Sequence, residues 1–443
     1  MTGKYWQLKD IANDRTVAPS PYLTVLAKPT GRCNLKCVFC YQDMNEMLRG
    51  PRMADEVQEV LVRRICEYPG LTLNLQWIGG ESLAAGIDFY RRCEELVTKY
   101  QRPGTRVNCP IQTNGTLLSQ KWVEFLRQNP RYPLSISFEV YPHLQNSLRA
   151  GRGAFADSYT KVADNLRMLR AEKIPYGILS VIELATLEVP PREWIETAVE
   201  VGIRQIGLQL SYAQIYNGDL AKVQLYINWL DELFLEQADY NNSCAPEKRL
   251  KIRETYYLYN LIRQSDIRYG CCHHAPDVCS NFLVSVDDKG MVYGHCDAFM
   301  GTADEDGDSY CIGSIMDDSF ETMMASPKMS KIKGDLMAGR AKCESCSYFE
   351  LCRGGCGFFK KMSGGSISAG FGDPIESYCA IKIALLSYVT DPERARIILR
   401  SYENLHSKDK LHGYTIDTAT LYNFETQELQ QTECGAYMAS DVM

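Results

Sequence analysis

The stretch KPTGRCNLKCVFCYQD, residues 28–43, decides how the rest of the chain is read. It holds Cys33, Cys37 and Cys40 within one short loop. Three thiolates so close can hold three irons of a four-iron cluster and leave the fourth open to a small molecule, because a complete structural cluster takes four cysteines. A zinc site completed by a distant ligand is the competing reading, since structural zinc also takes four ligands.

Working outward, PYLTVLAKPT leads into the loop as a strand. Residues 53–67 place Met53, Val57, Val60, Leu61 and Ile65 at a helical period. LTLNLQWIGGE then alternates as a strand and ends in a glycine pair, and residues 84–100 read as a helix. RVNCPIQTNG is a strand with a turn signal behind it, followed by a helix over 119–128. PLSISFE and YGILSVIE are strands around a helix at 158–171. A helix opened by Pro190 and Pro191, the strand IRQIGLQLS and a long helix over 219–238 complete the series. Six strand-then-helix units predict a parallel sheet, curled into an open, partial barrel. Chemistry in such barrels gathers at the C-terminal ends of the strands. The cysteine loop, Gly79-Gly80-Glu81, QTNG and SFE all fall there.

The chain has 443 residues and 18 cysteines, with a net charge of −7. Its length suits two or three domains. The acidic balance and the lack of a basic, aromatic-rich stretch argue against nucleic acid as a partner. No long apolar run or signal-peptide pattern is present, so a cytoplasmic protein without membrane attachment is expected. In a reducing compartment, many cysteines point to metal or iron–sulfur ligation rather than disulfides. Past the polar break YNNSCAPEK the apolar period weakens. Cys271, Cys272, Cys279, Cys296, Cys343, Cys346, Cys352, Cys356 and Cys379 follow, enough sulfur for two closed four-iron clusters or two zincs. Asp297, directly after Cys296, reads on its own as a loop carboxylate that accepts backbone N–H groups.

The spacing Cys33-x3-Cys37-x2-Cys40 with Tyr41, supported by GGE at 79–81, QTNG at 112–115 and ISFE at 136–139, resembles the radical S-adenosylmethionine (SAM) family. That resemblance implies a cluster whose open iron chelates SAM. Gly79, Gly80 and Glu81 would line the methionyl end, and Thr113, Asn114, Ser137 and Arg152 would lie near the rest. Reductive cleavage of SAM would yield the 5′-deoxyadenosyl radical that takes hydrogen from a substrate.

The later cysteines resemble the SPASM extension of such enzymes. By that resemblance Cys279, Cys296, Cys356 and one of Cys271/Cys272, here assigned as Cys272, hold the nearer auxiliary cluster. Cys343, Cys346, Cys352 and Cys379 hold the farther one. The cofactors implied are three [4Fe-4S] clusters and SAM. The corresponding domains are a lead over 1–22, a partial barrel over 23–240, a linker over 241–270, a cysteine-rich domain over 271–390, and a helix and tail over 391–443.

The layout resembles that of the anaerobic sulfatase-maturating enzymes, which carry Asp at the position of Asp297; the resemblance implies that Asp297 takes a proton from the substrate. The chain departs from them in FEVYPHLQNSLR: Glu139 stands where Asp is usual, Gln145 where His is usual and Asn146 where Asp is usual, while Arg149 remains. The expected activity is therefore oxidation of a side-chain β-carbon in a ribosomally made precursor peptide, forming a crosslink to an aromatic ring or heteroatom, with a flavodoxin or ferredoxin as electron donor. Formylglycine formation from Ser or Cys is the alternative reaction, and an iron–sulfur electron-transfer protein the non-enzymatic one.

Overall fold

The computed structural model describes residues 22–40, 42, 50–211, 219–262, 281–304, 306–352, 354–357, 359, 367, 376–402, 422–423 and 428–429. Strand β1 (Tyr22–Ala27) leads into the cysteine loop, within which β2 (Leu35–Cys37) forms. There follow β3 (Thr72–Trp77), β4 (Arg106–Asn108), β5 (Ile111–Thr113), β6 (Leu134–Ser137), β7 (Arg149–Gly151), β8 (Tyr176–Ile182), β9 (Gln205–Leu210) and β10 (Lys251–Ile252). The cysteine-rich part adds β11 (Leu283–Val286), β12 (Met291–Tyr293) and β13 (Cys311–Ser314).

The main sheet runs β10-β9-β8-β6-β5-β3-β1-β11-β12-β13, with β4 also on β3. Pairing is parallel from β10 through β11 and antiparallel from β11 to β13. The sheet does not close on itself, as a partial barrel requires. Every residue of β3 is buried, the mark of a parallel strand covered on both faces. RVNCPIQTNG divides into β4 and β5 at Pro110, which has no N–H for the ladder; its carbonyl instead accepts from Trp77 N at 2.8 Å.

The main barrel helices are α1 (Asp55–Glu67), α2 (Ile87–Tyr100), α3 (Gln120–Gln128), α4 (Pro142–Leu148), α5 (Ser158–Ala171), α6 (Pro191–Val201), α7 (Leu220–Ser243) and α8 (Arg253–Ile262). Farther on lie α9 (Pro327–Ala338), α10 (Glu376–Thr390) and α11 (Pro392–Ser401). No helix among the described residues is long and apolar enough to cross a membrane.

The stretch expected as a linker, 241–270, is in part barrel. Helix α7 continues to Ser243 because its polar end is put to use: Asn241 Nδ2 donates to Leu250 O and Asn241 Oδ1 accepts from Leu250 N, both at 2.9 Å. Strand β10 spans two residues, so the side chains behind it finish the edge of β9. Leu208 N donates to Glu254 Oε2 at 3.0 Å, and Arg253 Nη2 donates to Leu208 O at 2.9 Å. Charged residues that look like loop from sequence are here satisfying buried backbone groups.

Candidate active site

The cysteine loop is held from two sides. On one side β2 pairs antiparallel with β7, setting Cys37 opposite Arg149 and Leu35 opposite Gly151. On the other, the loop packs under the GGE turn, where Glu81 N donates to Arg32 O at 2.6 Å and Gly80 N donates to Gln42 Oε1 at 3.0 Å. Gly80 has φ +49°, and a Cβ there would come 2.5 Å from Arg32 O and 2.8 Å from Thr30 O. Only glycine allows the two backbones to approach so closely.

Glu81 is fully buried, and its carboxylate is already engaged. It accepts from Leu83 N at 2.9 Å, Thr113 Oγ1 at 2.5 Å and Asn114 N at 2.7 Å. Burial pushes its carboxyl upward, and these bonds oppose the shift. The side chain braces the GGE turn against the TNG turn, and the backbone N–H of Glu81 faces the loop. Thr113 and Asn114 share in the brace. Asn114 Nδ2 donates to Asn34 Oδ1 at 2.9 Å and lies 3.9 Å from Cys33 Sγ. Asn34 in turn donates to Thr116 Oγ1 at 2.8 Å. Ser137 Oγ, at the end of β6, accepts from Gln112 Nε2 at 2.9 Å. Arg152 is exposed, just beyond β7.

Arg149 is a cation within the site. It is buried, with Nη1 4.0 Å from Cys37 Sγ and its guanidinium 4.8 Å over the Phe39 ring. Nε and Nη2 each reach Glu139 Oε1 at 2.9 Å. Glu139 also accepts from Ser180 Oγ at 2.5 Å and Val181 N at 3.2 Å. Burial works to discharge Arg149, but Glu139 and the Cys37 sulfur outweigh it and hold the guanidinium above its ordinary value. Gln145 Oε1 accepts from Glu139 N at 2.8 Å, and Asn146 Oδ1 accepts from Tyr159 N at 2.9 Å. The residues that set this chain apart from the maturase pattern thus form an internally satisfied support behind the loop.

The thiols fit a cluster. Burial pushes Cys33 up to about 12, with Cys37 and Cys40 adding to the rise. Burial also raises Cys37 and Cys40, while Arg149 pulls both down. Such thiols stay protonated until a metal displaces the protons. A four-iron cluster sits between its thiolates and keeps them apart, and N–H donors beside sulfur suit it.

In the cysteine-rich part, Cys346 N donates to Cys343 O at 2.9 Å. Cys352 ends a short helix. Gly354 and Gly355, at φ +82° and +70°, turn the chain to the buried Cys356. Burial raises the Cys352 thiol, Lys382 pulls it down, and Cys343 and Cys346 raise it further, which places those three sulfurs in one neighbourhood. Cys379 lies on α10. Cys271, Cys272, Cys279, Tyr41, His273 and His274 lie outside the described residues. Cys296 is half-buried, and its carbonyl accepts from Ser285 Oγ at 3.2 Å. The half-buried Asp297 opens the turn behind it. His295 beside it is fully buried with both ring nitrogens unpartnered, and burial lowers it to about 4. Cys66, Cys93 and Cys109 are core fillers. The parts missed from sequence are Asn34, Gln42, Thr116 and Ser180, each an ordinary polar residue whose partner is distant in the chain.

Residues 27–204 match the radical SAM superfamily. A cysteine-type anaerobic sulfatase-maturating enzyme of Clostridium perfringens is 26% identical over 361 residues, covering 76% of this chain and 89% of that protein. The structure of anSMEcpe with AdoMet and the Kp18Cys peptide superposes with a TM-score of 0.70 at 22% identity, over 85% of this chain and 99% of that one. SuiB of Streptococcus suis bound to precursor peptide SuiA gives a TM-score of 0.55 at 15% identity, over 84% and 79%. Residues 27–204 are thus a radical SAM domain, in a chain homologous to the anaerobic sulfatase-maturating enzymes, and its three-cysteine loop is suited to a SAM-binding [4Fe-4S] cluster.

Proposed function

We propose that this enzyme removes a β-carbon hydrogen from a ribosomally made precursor peptide and completes a two-electron oxidation that joins the carbon to an aromatic ring or heteroatom. The observation that carries the reading is the placement of Asp297. Its neighbour Cys296 is tied to Ser285 on β11, and β11 is hydrogen-bonded along β1, the strand that delivers the cysteine loop. Strand β12 ends at Tyr293, opposite Ser285, so the segment that carries Cys296 and Asp297 packs against β11, the strand beside β1.

When bound, SAM and its cluster supply the hydrogen-abstracting radical, and two auxiliary clusters supply an electron acceptor. Cys33, Cys37 and Cys40 hold the first cluster. Cys272, Cys279, Cys296 and Cys356 hold the nearer auxiliary cluster, and Cys343, Cys346, Cys352 and Cys379 the farther. The unpartnered nitrogens of His295 next to Cys296 support a missing polar group there. The Gly79-Gly80 backbone, Ser137 and Arg152 receive SAM, and Glu81, Thr113 and Asn114 keep that surface in place. Asp297 takes the proton that must leave the peptide as the new bond forms. The balance is a loss of two hydrogens from the peptide. A low-potential flavodoxin or ferredoxin supplies the starting electron.

A second reading, oxidation of Ser or Cys to formylglycine, is favoured by the sulfatase-maturating relatives, which align over most of their length. Mass spectrometry of a candidate peptide co-expressed anaerobically with the enzyme separates the two. Loss of two hydrogens, no reaction with a carbonyl reagent, and missing fragments between two residues establish the crosslink. A carbonyl-reactive product at Ser or Cys establishes formylglycine. An unaltered peptide fold-matched to neither, across all peptides encoded nearby, refutes the crosslinking assignment.

A further inference from the structure

Arg149 contacts the cluster loop through a sulfur ligand rather than through a substrate pocket. Three observations set its electrostatic role. Its Nη1 is 4.0 Å from Cys37 Sγ. It is the register partner of Cys37 across the β2–β7 ribbon, so backbone and side chain fix the contact together. Its counter-charge, Glu139, sits on the other side of the guanidinium, bonded to Nε and Nη2 and anchored by Ser180 and Val181. The ion pair is neutral as a whole, but its positive end faces the sulfur. Side chains at 6% and 1% exposure leave little water to screen it.

We propose that Arg149 is a positioning residue that tunes the SAM-binding cluster: its N–H and charge at Cys37 Sγ stabilise the reduced cluster, and Glu139 limits how far. Cluster potentials respond to net charge, hydrogen bonds to sulfur and solvent exposure, and partners of the ligands tune a metal centre as much as the ligands do. The inference rests on the radical SAM assignment of the loop and is independent of the peptide product. The support residues Glu139, Gln145 and Asn146 then have a purpose beyond packing, because they fix where the buried charge points.

The pair of substitutions Arg149→Gln and Glu139→Gln gives opposite signs. In reconstituted holoenzyme, an EPR-monitored redox titration follows the cluster whose signal changes on adding SAM. Arg149→Gln is expected to weaken reduction about tenfold, a midpoint about 59 mV more negative. Glu139→Gln leaves the guanidinium uncompensated and is expected to move the midpoint the other way. Arg149→Lys keeps the charge and recovers part of the shift. A purely structural role changes iron retention and leaves the midpoint in place. Unshifted midpoints, or shifts of the same sign in both glutamine variants, overturn the proposal. If Arg149→Gln fails to hold its cluster, an unshifted or more negative Glu139→Gln midpoint overturns it alone.

Discussion

Glu81 and Asn114 lie 33 positions apart and meet at 2.7 Å, the Asn114 N–H donating to the buried carboxylate. The same asparagine extends its carboxamide to within 3.9 Å of Cys33 Sγ. One carboxylate therefore links two strand-end turns to the first thiol of the loop.

Replacing Glu81 with Ala removes the acceptor for three donors at once. Each buried donor left unpaired costs about 1–3 kcal/mol. A combined loss above about 3 kcal/mol is expected in urea unfolding of the apoprotein, with poor iron retention after reconstitution. Unchanged stability contradicts the brace.

Gly80→Ala tests the close approach beneath the loop. With φ at +49° and two carbonyl oxygens within 3 Å of the new Cβ, it is expected to cost about 1–3 kcal/mol. Gly104→Ala, at φ +80° with no atom near its Cβ, carries the backbone strain alone and serves as the control.

Replacing Cys33, Cys37 and Cys40 together with Ala is expected to abolish SAM cleavage and remove about four irons per chain. Iron and sulfide analysis beside a 5′-deoxyadenosine assay checks both. Loss of all iron instead contradicts the separate auxiliary clusters.

Asp297→Asn is expected to leave SAM cleavage in place and lower product by about 100-fold or more. The ratio of peptide product to 5′-deoxyadenosine is the measurement. A normal ratio removes Asp297 from the reaction.

Lys333 on α9 supplies a pH test away from the site. Burial holds its ammonium below the ordinary 10.5. Between the folded value and 10.5 the unfolded chain binds the proton more tightly, so stability rises with pH across that window. Near neutral pH the penalty is present in full. Lys333→Met is expected to be more stable than the parent at about pH 7, and the gain to shrink toward about pH 10, as read from urea midpoints.

The sheet was legible because parallel strands buried on both faces are written as apolar runs, as in β3. The three-cysteine loop was legible as a unit because Cys33, Cys37 and Cys40 are close in sequence. Strand β7 was not, since Arg149-Ala150-Gly151 carries no apolar pattern and its partner Cys37 lies 112 positions away. Glu81 was visible as part of a motif, but its use as a brace depends on Thr113 and Asn114 approaching through the fold. Arg253 and Glu254 read as loop because one sequence does not tell that Leu208 needs their side chains.

The pairing of β11 with β1 has a consequence for dissection of the chain. A fragment ending after the barrel would carry β1 as a bare edge, with the backbone groups that now serve Leu283 to Val286 turned outward. Edges of that kind recruit strands from other molecules. The cysteine-rich segment is thus a lid on an adhesive seam, and cutting it away should yield precipitate before it yields an inactive enzyme.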